Sequence, residues 1–470
     1  MKRSILTAAV LAAMLSGCAS WFSPDFQRPQ GAVPAAWPTG PAYGAQQASA
    51  SRAADIGWRD FIVDARLRQL TEMALSNNRD LRIAALNIEK ARAQYGIASS
   101  DLFPSISATA EGASVKTAQD LTAAGTPRLT HSYSAGVGFS AYELDFFGRL
   151  QNLKSAALET YLQTEEARNS AQISLIAEVA SAYLTLTADQ QQLKLAQDTL
   201  QSQMTSFDLI HRRFDLGIGS QLDVSQAQTS VDSARIEVAS YTTQVAQDRN
   251  ALAVLVGAPV PDALMPSGPV DGGIVMSNVP AGLTSDVLLQ RPDLLADEHV
   301  LKASNADIGA ARAAFFPSIT LTASVGSGST DLGRLFKGGN GTWSFIPQLN
   351  LPIFNAGQLS AELDVAKVSR NIAIAQYEKD IQTAFREVSD ALALSGTVDQ
   401  QVEAQQSLTN ATAQSYTLAN ARYQNGIDGF LDVLDAQRTL FAAQQKLITV
   451  KLAQQTNRVT LYKALGGGVR

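Results

Sequence analysis

The 470-residue sequence has a single cysteine, Cys18, and only three histidines, His131, His211 and His299. One cysteine excludes a disulfide framework within the chain. The histidines have no metal-ligand spacing among them, so no metal is expected. Positive charge is also scarce: 37 Lys and Arg face 43 Asp and Glu, a net charge of −6. That balance leaves no basic footprint for nucleic acid. Beyond Leu15 there is no unbroken apolar run of the ~20 residues that a spanning helix requires. If the chain crosses a bilayer, it must therefore do so as a closed β-barrel. Catalytic patterns are missing as well. The glycine-rich stretches at 326–333 and 338–341 lack the phosphate-loop spacing and read as flexible loop. No catalytic residue and no cofactor is expected.

What is present begins at the N-terminus. Lys2 and Arg3 precede a short apolar core at 5–15, the layout of an export signal. Leu15-Ser16-Gly17-Cys18 resembles a bacterial lipobox, in which Cys18 is lipidated and becomes the first mature residue. Ala19, rather than Asp, follows the cysteine, which points to the outer membrane. The expected order is a signal peptide at 1–17 and an extended, lipid-anchored segment at 18–57.

The remainder is a duplication. FDLGIGSQLDVSQAQ at 214–228 aligns with YQNGIDGFLDVLDAQ at 423–437, an offset of 209. The same offset pairs Gly148 with Gly357, Glu178 with Glu387, and Gly257 with Gly466. Earlier, DLFPSIS at 101–107 aligns with AFFPSIT at 314–320, an offset of 213. The second copy is thus four residues shorter between these points, which belongs in a loop. The expected bounds are 58–257 for the first copy, 258–284 for a linker, and 285–470 for the second.

Each copy holds a long helix. Residues 150–216 contain neither Gly nor Pro, and at 1.5 Å per residue they make a rod of ~100 Å. Residues 358–425 contain one breaker, Gly396, where the first copy has Thr187. A glycine at this point leaves room for a local irregularity, and the sequence does not decide its effect on the helix. The rods reverse at 217–219 and 426–429, where glycine lets the chain leave the helix.

Between the helices lie alternating segments. They run through Ile106, Ala108 and Ala110; through Tyr133 to Ala141; through Ile319 to Val325; and through Trp343 to Ile353. Period-2 segments of ~10 residues fit transmembrane barrel strands. Loops are expected at 112–130 and 327–342. Four strands cannot close a barrel, since small barrels need about eight. Three chains would supply twelve.

Further residues recur in a specific order. SPDFQRP follows the cysteine at 23–29. Then come Trp58, Phe61, Asp64 and Leu67; Asn78, Asp80 and Leu81; Arg291-Pro292-Asp293; Phe316-Pro317-Ser318; Leu434-Asp435-Ala436-Gln437; and LYKALGGG at 461–468. This ordered set resembles the TolC-type outer-membrane efflux factors, in particular their NodT/OprM-like lipoprotein branch. The resemblance implies a mostly α-helical chain with four strands. These complete a trimeric twelve-stranded transmembrane β-barrel above a long periplasmic α-helical barrel. A mixed α/β girdle is implied near 258–285 and the C-terminal end. The implied function is the exit duct of a tripartite efflux system, without enzymatic activity. The implied partners are two further copies, outer-membrane lipid, a periplasmic membrane-fusion adaptor, and an inner-membrane transporter of the resistance-nodulation-division class. The alternative is the outer-membrane duct of a type I protein secretion system.

The resemblance also places a periplasmic gate at Leu431, Asp432, Asp435 and Arg438. On one helix, 432, 435 and 438 are i, i+3 neighbours. Three-fold symmetry turns the aspartates into rings that Arg438 can bridge and Leu431 can plug. In the first copy Asp223 matches Asp432, but Gln226 stands where Asp435 would be. The tips, with turn residues Gly217, Gly219, Gly426 and Gly429, are where the adaptor is expected.

Overall fold

The computed structural model describes residues 22–29, 32–43, 53–281 and 284–468. The segment 1–17, expected to be a signal peptide, and Cys18 lie outside the described residues. Eight α-helices are described: α1 (Trp58–Phe61), α2 (Ala65–Asn77), α3 (Arg79–Ser100), α4 (Arg149–Asp215), α5 (Gln221–Val256), α6 (Pro292–Ala313), α7 (Gln358–Gln424) and α8 (Phe430–Ala464). Four strands accompany them: β1 (Ser107–Lys116), β2 (Leu129–Leu144), β3 (Ser318–Ser329) and β4 (Gly341–Asn350). The chain divides into two compact units, and each draws matching parts from both copies of the duplication. Unit 1 contains 87–164 and 296–377; unit 2 contains 165–295 and 378–470.

In unit 1 the strands form one antiparallel sheet in the order β1-β2-β3-β4. Lys116 pairs with Leu129 at one end of the first hairpin, and Ser107 with Gly138 near the other. Val137 pairs with Val325 where the two copies meet. The register of β2 shifts between Phe139 and Tyr142, and Ala141 takes a positive φ of 53° in this bulge. Its N–H donates to the Thr322 hydroxyl at 3.0 Å, so the amide freed from the ladder is still satisfied. The loops are shorter than expected. β1 continues to Lys116, and β4 stops at Asn350, short of Ile353. Ladder bonds are made by backbone, so small residues such as Gly112 and Ser114 extend a strand without extending its hydropathy pattern.

The segment 22–29 lies along α6. The Ser23 hydroxyl donates to the Asn305 carbonyl at 3.0 Å, and Arg312 donates to the Phe22 carbonyl at 2.9 Å. Arg28 pairs with Glu298 at 2.6 Å, and Lys302 sits over the Phe26 ring.

Unit 2 is built from helix faces. Asp64 caps α2 by accepting from Arg66 and Leu67 N–H groups at 2.9 and 2.8 Å. Asn78 accepts from Leu81 N–H and donates to the Leu255 carbonyl, both at 2.9 Å. These contacts give a physical reason for both residues in the ordered set. Phe61 stacks on Tyr462 with centroids 3.9 Å apart. Arg291 grips Asp293 through two bonds of 3.0 and 2.7 Å, and also reaches Glu387 and the Ala464 carbonyl. Burial opposes ionisation of Asp293, but the Arg291 guanidinium outweighs it and holds the carboxyl below its ordinary value.

Two features of the long helices bear on the sequence reading. α7 runs unbroken through Gly396. Ala391 and Val398 on either side of it are buried, and Asn457 donates to the Ala391 carbonyl and the Ser395 hydroxyl. Packing of this kind outweighs the roughly 1 kcal/mol that a helical glycine costs. Secondly, one stretch of α4 is apolar and long enough, by composition, to cross a membrane. It is mostly buried: Ile176, Val179, Tyr183, Leu184 and Leu186 form core in unit 2. The segment 258–290 holds 3-10 turns at Asp262–Leu264 and Ser285–Gln290, and one bridge between Ile62 and Val275.

Candidate functional site

The candidate site lies at the two helix reversals of unit 2. Both use the same backbone device. Gly217 has φ 75° and Gly426 φ 72°. In the first reversal Gly217 N–H bonds the Phe214 carbonyl and Ile218 N–H the Arg213 carbonyl, at 2.9 and 3.0 Å. In the second, Gly426 N–H bonds Tyr423 and Ile427 N–H bonds Arg422, at 3.0 and 2.9 Å. This pair of bonds is the Schellman arrangement, which satisfies the orphan carbonyls of a helix end. The two tips pack on a shared core of Ile210, Val224, Ala227, Phe430, Val433 and Leu434, flanked by Phe207, Tyr416 and Tyr423.

The other two turn glycines differ in role. A Cβ on Gly219 would sit 2.8 Å from the Phe214 nitrogen, so the turn closes too tightly for a side chain. Gly429 meets nothing within 4 Å and caps α8 with no side-chain bond. Its first-copy counterpart, Ser220, caps α5 by accepting from Leu222 N–H at 3.1 Å.

The proposed gate residues share one exposed face of α8. Leu431, Asp432, Asp435 and Arg438 are exposed, while Val433, Leu434 and Gln437 point into the core. Within the chain, Arg438 Nη2 lies 3.6 Å from Asp435 Oδ1, with both side chains more than two-thirds exposed. Such a pair alone contributes under ~1 kcal/mol. Leu431 and Arg438 also line a groove of about 320 Å³ with Phe441 on α8, Gln226 and Glu237 on α5, and Gln203 on α4.

Sequence reasoning missed three features. Arg422 ties the second tip by pairing with Asp428, with one bond of 2.9 Å and a second, shorter one between Nε and Oδ2. The hydrogen bond to Asp428 raises the Arg422 pKa, and its partner's carboxyl is correspondingly lowered. At the first tip the counterpart, Arg213, instead lies over the Tyr423 ring, 5.1 Å from its centroid. The third feature is Asp189 on α4. Burial, then a hydrogen bond and charge from Asp248 on α5, push its carboxyl up to about 7. The acids are 59 residues apart, and their second-copy counterparts are Val398 and Asn457, so no local pattern marks them.

Residues 70–258 and 283–467 match the family described as outer membrane efflux protein. The toluene efflux pump outer membrane protein TtgC of Pseudomonas putida is 52% identical over 468 residues, covering 100% of this chain and 96% of that protein. The antibiotic efflux pump outer membrane protein ArpC, also of Pseudomonas putida, is 52% identical with the same coverage. Among solved structures, the open state of the Neisseria gonorrhoeae MtrE outer membrane channel superposes with a TM-score of 0.86 at 38% identity, covering 95% of this chain and 98% of that one.

Proposed function

The chain belongs to the outer membrane efflux protein family, a family with a transport role, and from that membership we propose how this member works. It is an outer-membrane channel, the exit duct of a tripartite efflux system. The observation that carries the reading is the full-length likeness to an outer membrane channel in a chain whose own sheet is open, with β1 and β4 at its edges. An unpaired strand edge is not tolerated in hydrocarbon. Pairing β4 of one copy with β1 of the next, three times over, removes every edge. The duct is therefore a homotrimer with twelve shared strands.

Its cargo is of the kind named for its relatives, apolar solvents and antibiotics, and the names of those relatives favour efflux over protein secretion. The tips at Gly217, Gly219, Gly426 and Gly429 meet a periplasmic adaptor, which links the duct to an inner-membrane transporter of the resistance-nodulation-division class. The duct performs no chemistry; it opens and closes. Leu431, Asp432, Asp435 and Arg438 form the closure on the exposed face of α8. Three copies of Asp432 and Asp435 crowd six carboxylates into a narrow passage, favouring cations, while Arg438 bridges to Asp435 and holds neighbouring helices together.

The test is native mass in detergent followed by conductance in planar bilayers. The reading requires a trimer that forms channels. A monomer, or a trimer that never conducts even with Asp435→Ala, would sink it.

A further inference from the structure

The groove beside Leu431 and Arg438 lies where α5 and α8 part over α4. Toward the tip the two helices meet in the shared core, through Val224 and Ala227 on α5 and Val433 and Leu434 on α8. Away from the tip they meet again, where the Gln445 side chain donates to the Tyr241 hydroxyl at 3.2 Å. Between these contacts about 320 Å³ stands open. Along α5 the groove runs from Gln226 to Glu237, ~16 Å at 1.5 Å per residue.

A difference between the copies of the duplication makes room for it. Ala196 on α4 and Ala234 on α5 both line the groove. Their second-copy counterparts are Gln405 and Ala443. There the Gln405 side chain spans the helix pair and donates to the Ala443 carbonyl at 3.1 Å. Alanine at 196 has no side chain long enough to do the same.

The walls call for a positively charged donor. Gln203 on the α4 side is 5% exposed, and its Oε1 has no hydrogen-bond partner among the described residues. Glu237 is half-buried and has no ion-pair partner among them. A partly desolvated carboxylate without a cation is costly, and so is a buried acceptor without a donor. The basic group in the groove, Arg438, is already beside Asp435. The second copy has Lys446 where Glu237 stands, so it does not repeat this charge. Phe441 and Leu431 on α8 supply an apolar wall next to these polar groups.

We propose that this groove binds a small amphiphilic organic cation, an ammonium carried on an aromatic body, with the ammonium at Glu237 and the ring against Phe441 and Leu431. Such a ligand touches α8 on one side and α5 on the other, and so holds α8 in place against its neighbours. Binding itself needs only the groove. Its effect on passage rests on the closure proposed for α8.

The probe is naphthylmethylammonium, titrated into the detergent-purified full-length protein and read by fluorescence anisotropy. Ala196→Gln, which brings the side chain of the second copy into the groove, is titrated in the same detergent, so partition into the micelle cancels. The expected result is saturable binding to the parent that is lost in Ala196→Gln, with helical circular dichroism and native mass kept. Glu237→Gln is expected to weaken binding about fivefold. Neutral naphthylmethanol is expected to bind the parent and Glu237→Gln alike. No binding to the parent, binding kept in Ala196→Gln, or unchanged affinity in Glu237→Gln overturns the site. In planar bilayers the probe is expected to lower the conductance of the parent and not that of Ala196→Gln. Unchanged conductance with binding intact overturns the hold on α8. A protein that never conducts overturns the duct reading, and the titration still decides the site.

Discussion

The two helical tips share a backbone and differ in their side chains. Gly217 and Gly426 occupy the same left-handed position and close the same pair of hydrogen bonds. Around that frame the first tip carries Arg213 over an aromatic ring and a Ser220 cap. The second carries the Arg422–Asp428 tie, an uncapped Gly429, and a second acid, Asp435, where the first copy has Gln226. Both copies keep the same turn, because the left-handed glycine and its two hydrogen bonds satisfy the helix end. Charge is free to diverge, because the exposed face of a tip is not held by packing. The closure proposed for the second copy thus falls on a surface that the fold itself does not constrain.

The strongest way to break the comparison is to attack what the tips share. Gly217→Val and Gly426→Val each force a branched side chain to φ > 0, at a cost of about 1–2 kcal/mol. Thermal melting should show similar losses for both. A much smaller loss at one site would mean that the two turns are not equivalent.

The next test addresses what they do not share. Asp435→Ala and Arg438→Ala should raise resting conductance. Three exposed pairs at about 0.5 kcal/mol each give about tenfold at most. Gln226→Ala and Thr229→Ala, the same positions in the first copy, should leave conductance unchanged. Equal effects in both copies would move the closure off α8.

A third prediction uses the acid pair that only the first copy has. Asp189 ionises near 3.8 in an ordinary setting and near 7 in the folded chain. Its folded value is raised, so its contribution is fully present below about 4 and is lost as pH rises through about 7. The melting temperature of the parent should therefore fall relative to Asp189→Asn between pH 4 and 8. Parallel pH curves for the two proteins would show that the pair is not coupled to folding.

The smallest effect sharpens the comparison from the other side. Gly429→Ser gives α8 the cap that Ser220 gives α5, in open space. Stabilisation of a few tenths of a kcal/mol is expected from melting curves. Gly219→Ser should instead destabilise, because its Cβ meets the Phe214 nitrogen.

Much of this was legible in the sequence for a simple reason. Glycine and proline punctuate helices, and a 67-residue stretch without either reads directly as the 67-residue α4. The turns were legible because glycine accepts their φ without steric cost. The ends of β1 and β4 were not, since small residues pair by backbone alone. The continuity of α7 through Gly396 depends on Asn457 and buried neighbours, which no local window contains. The exposed face of α8 was legible from i, i+3 spacing. The Arg422–Asp428 tie was not, because it bridges a turn whose geometry decides whether its ends meet.

The segment from Phe22 to Pro29 has a mechanical consequence. It is fastened to α6 at Ser23, Phe22, Phe26 and Arg28, and these fastenings are spread along the helix. A pull on the chain ahead of Phe22 along the helix axis loads these fastenings together, in shear. They do not open one after another like a zip. A pull of this kind therefore reaches α6, which is paired to α4 through His299 and Glu159, before it reaches a strand of the sheet.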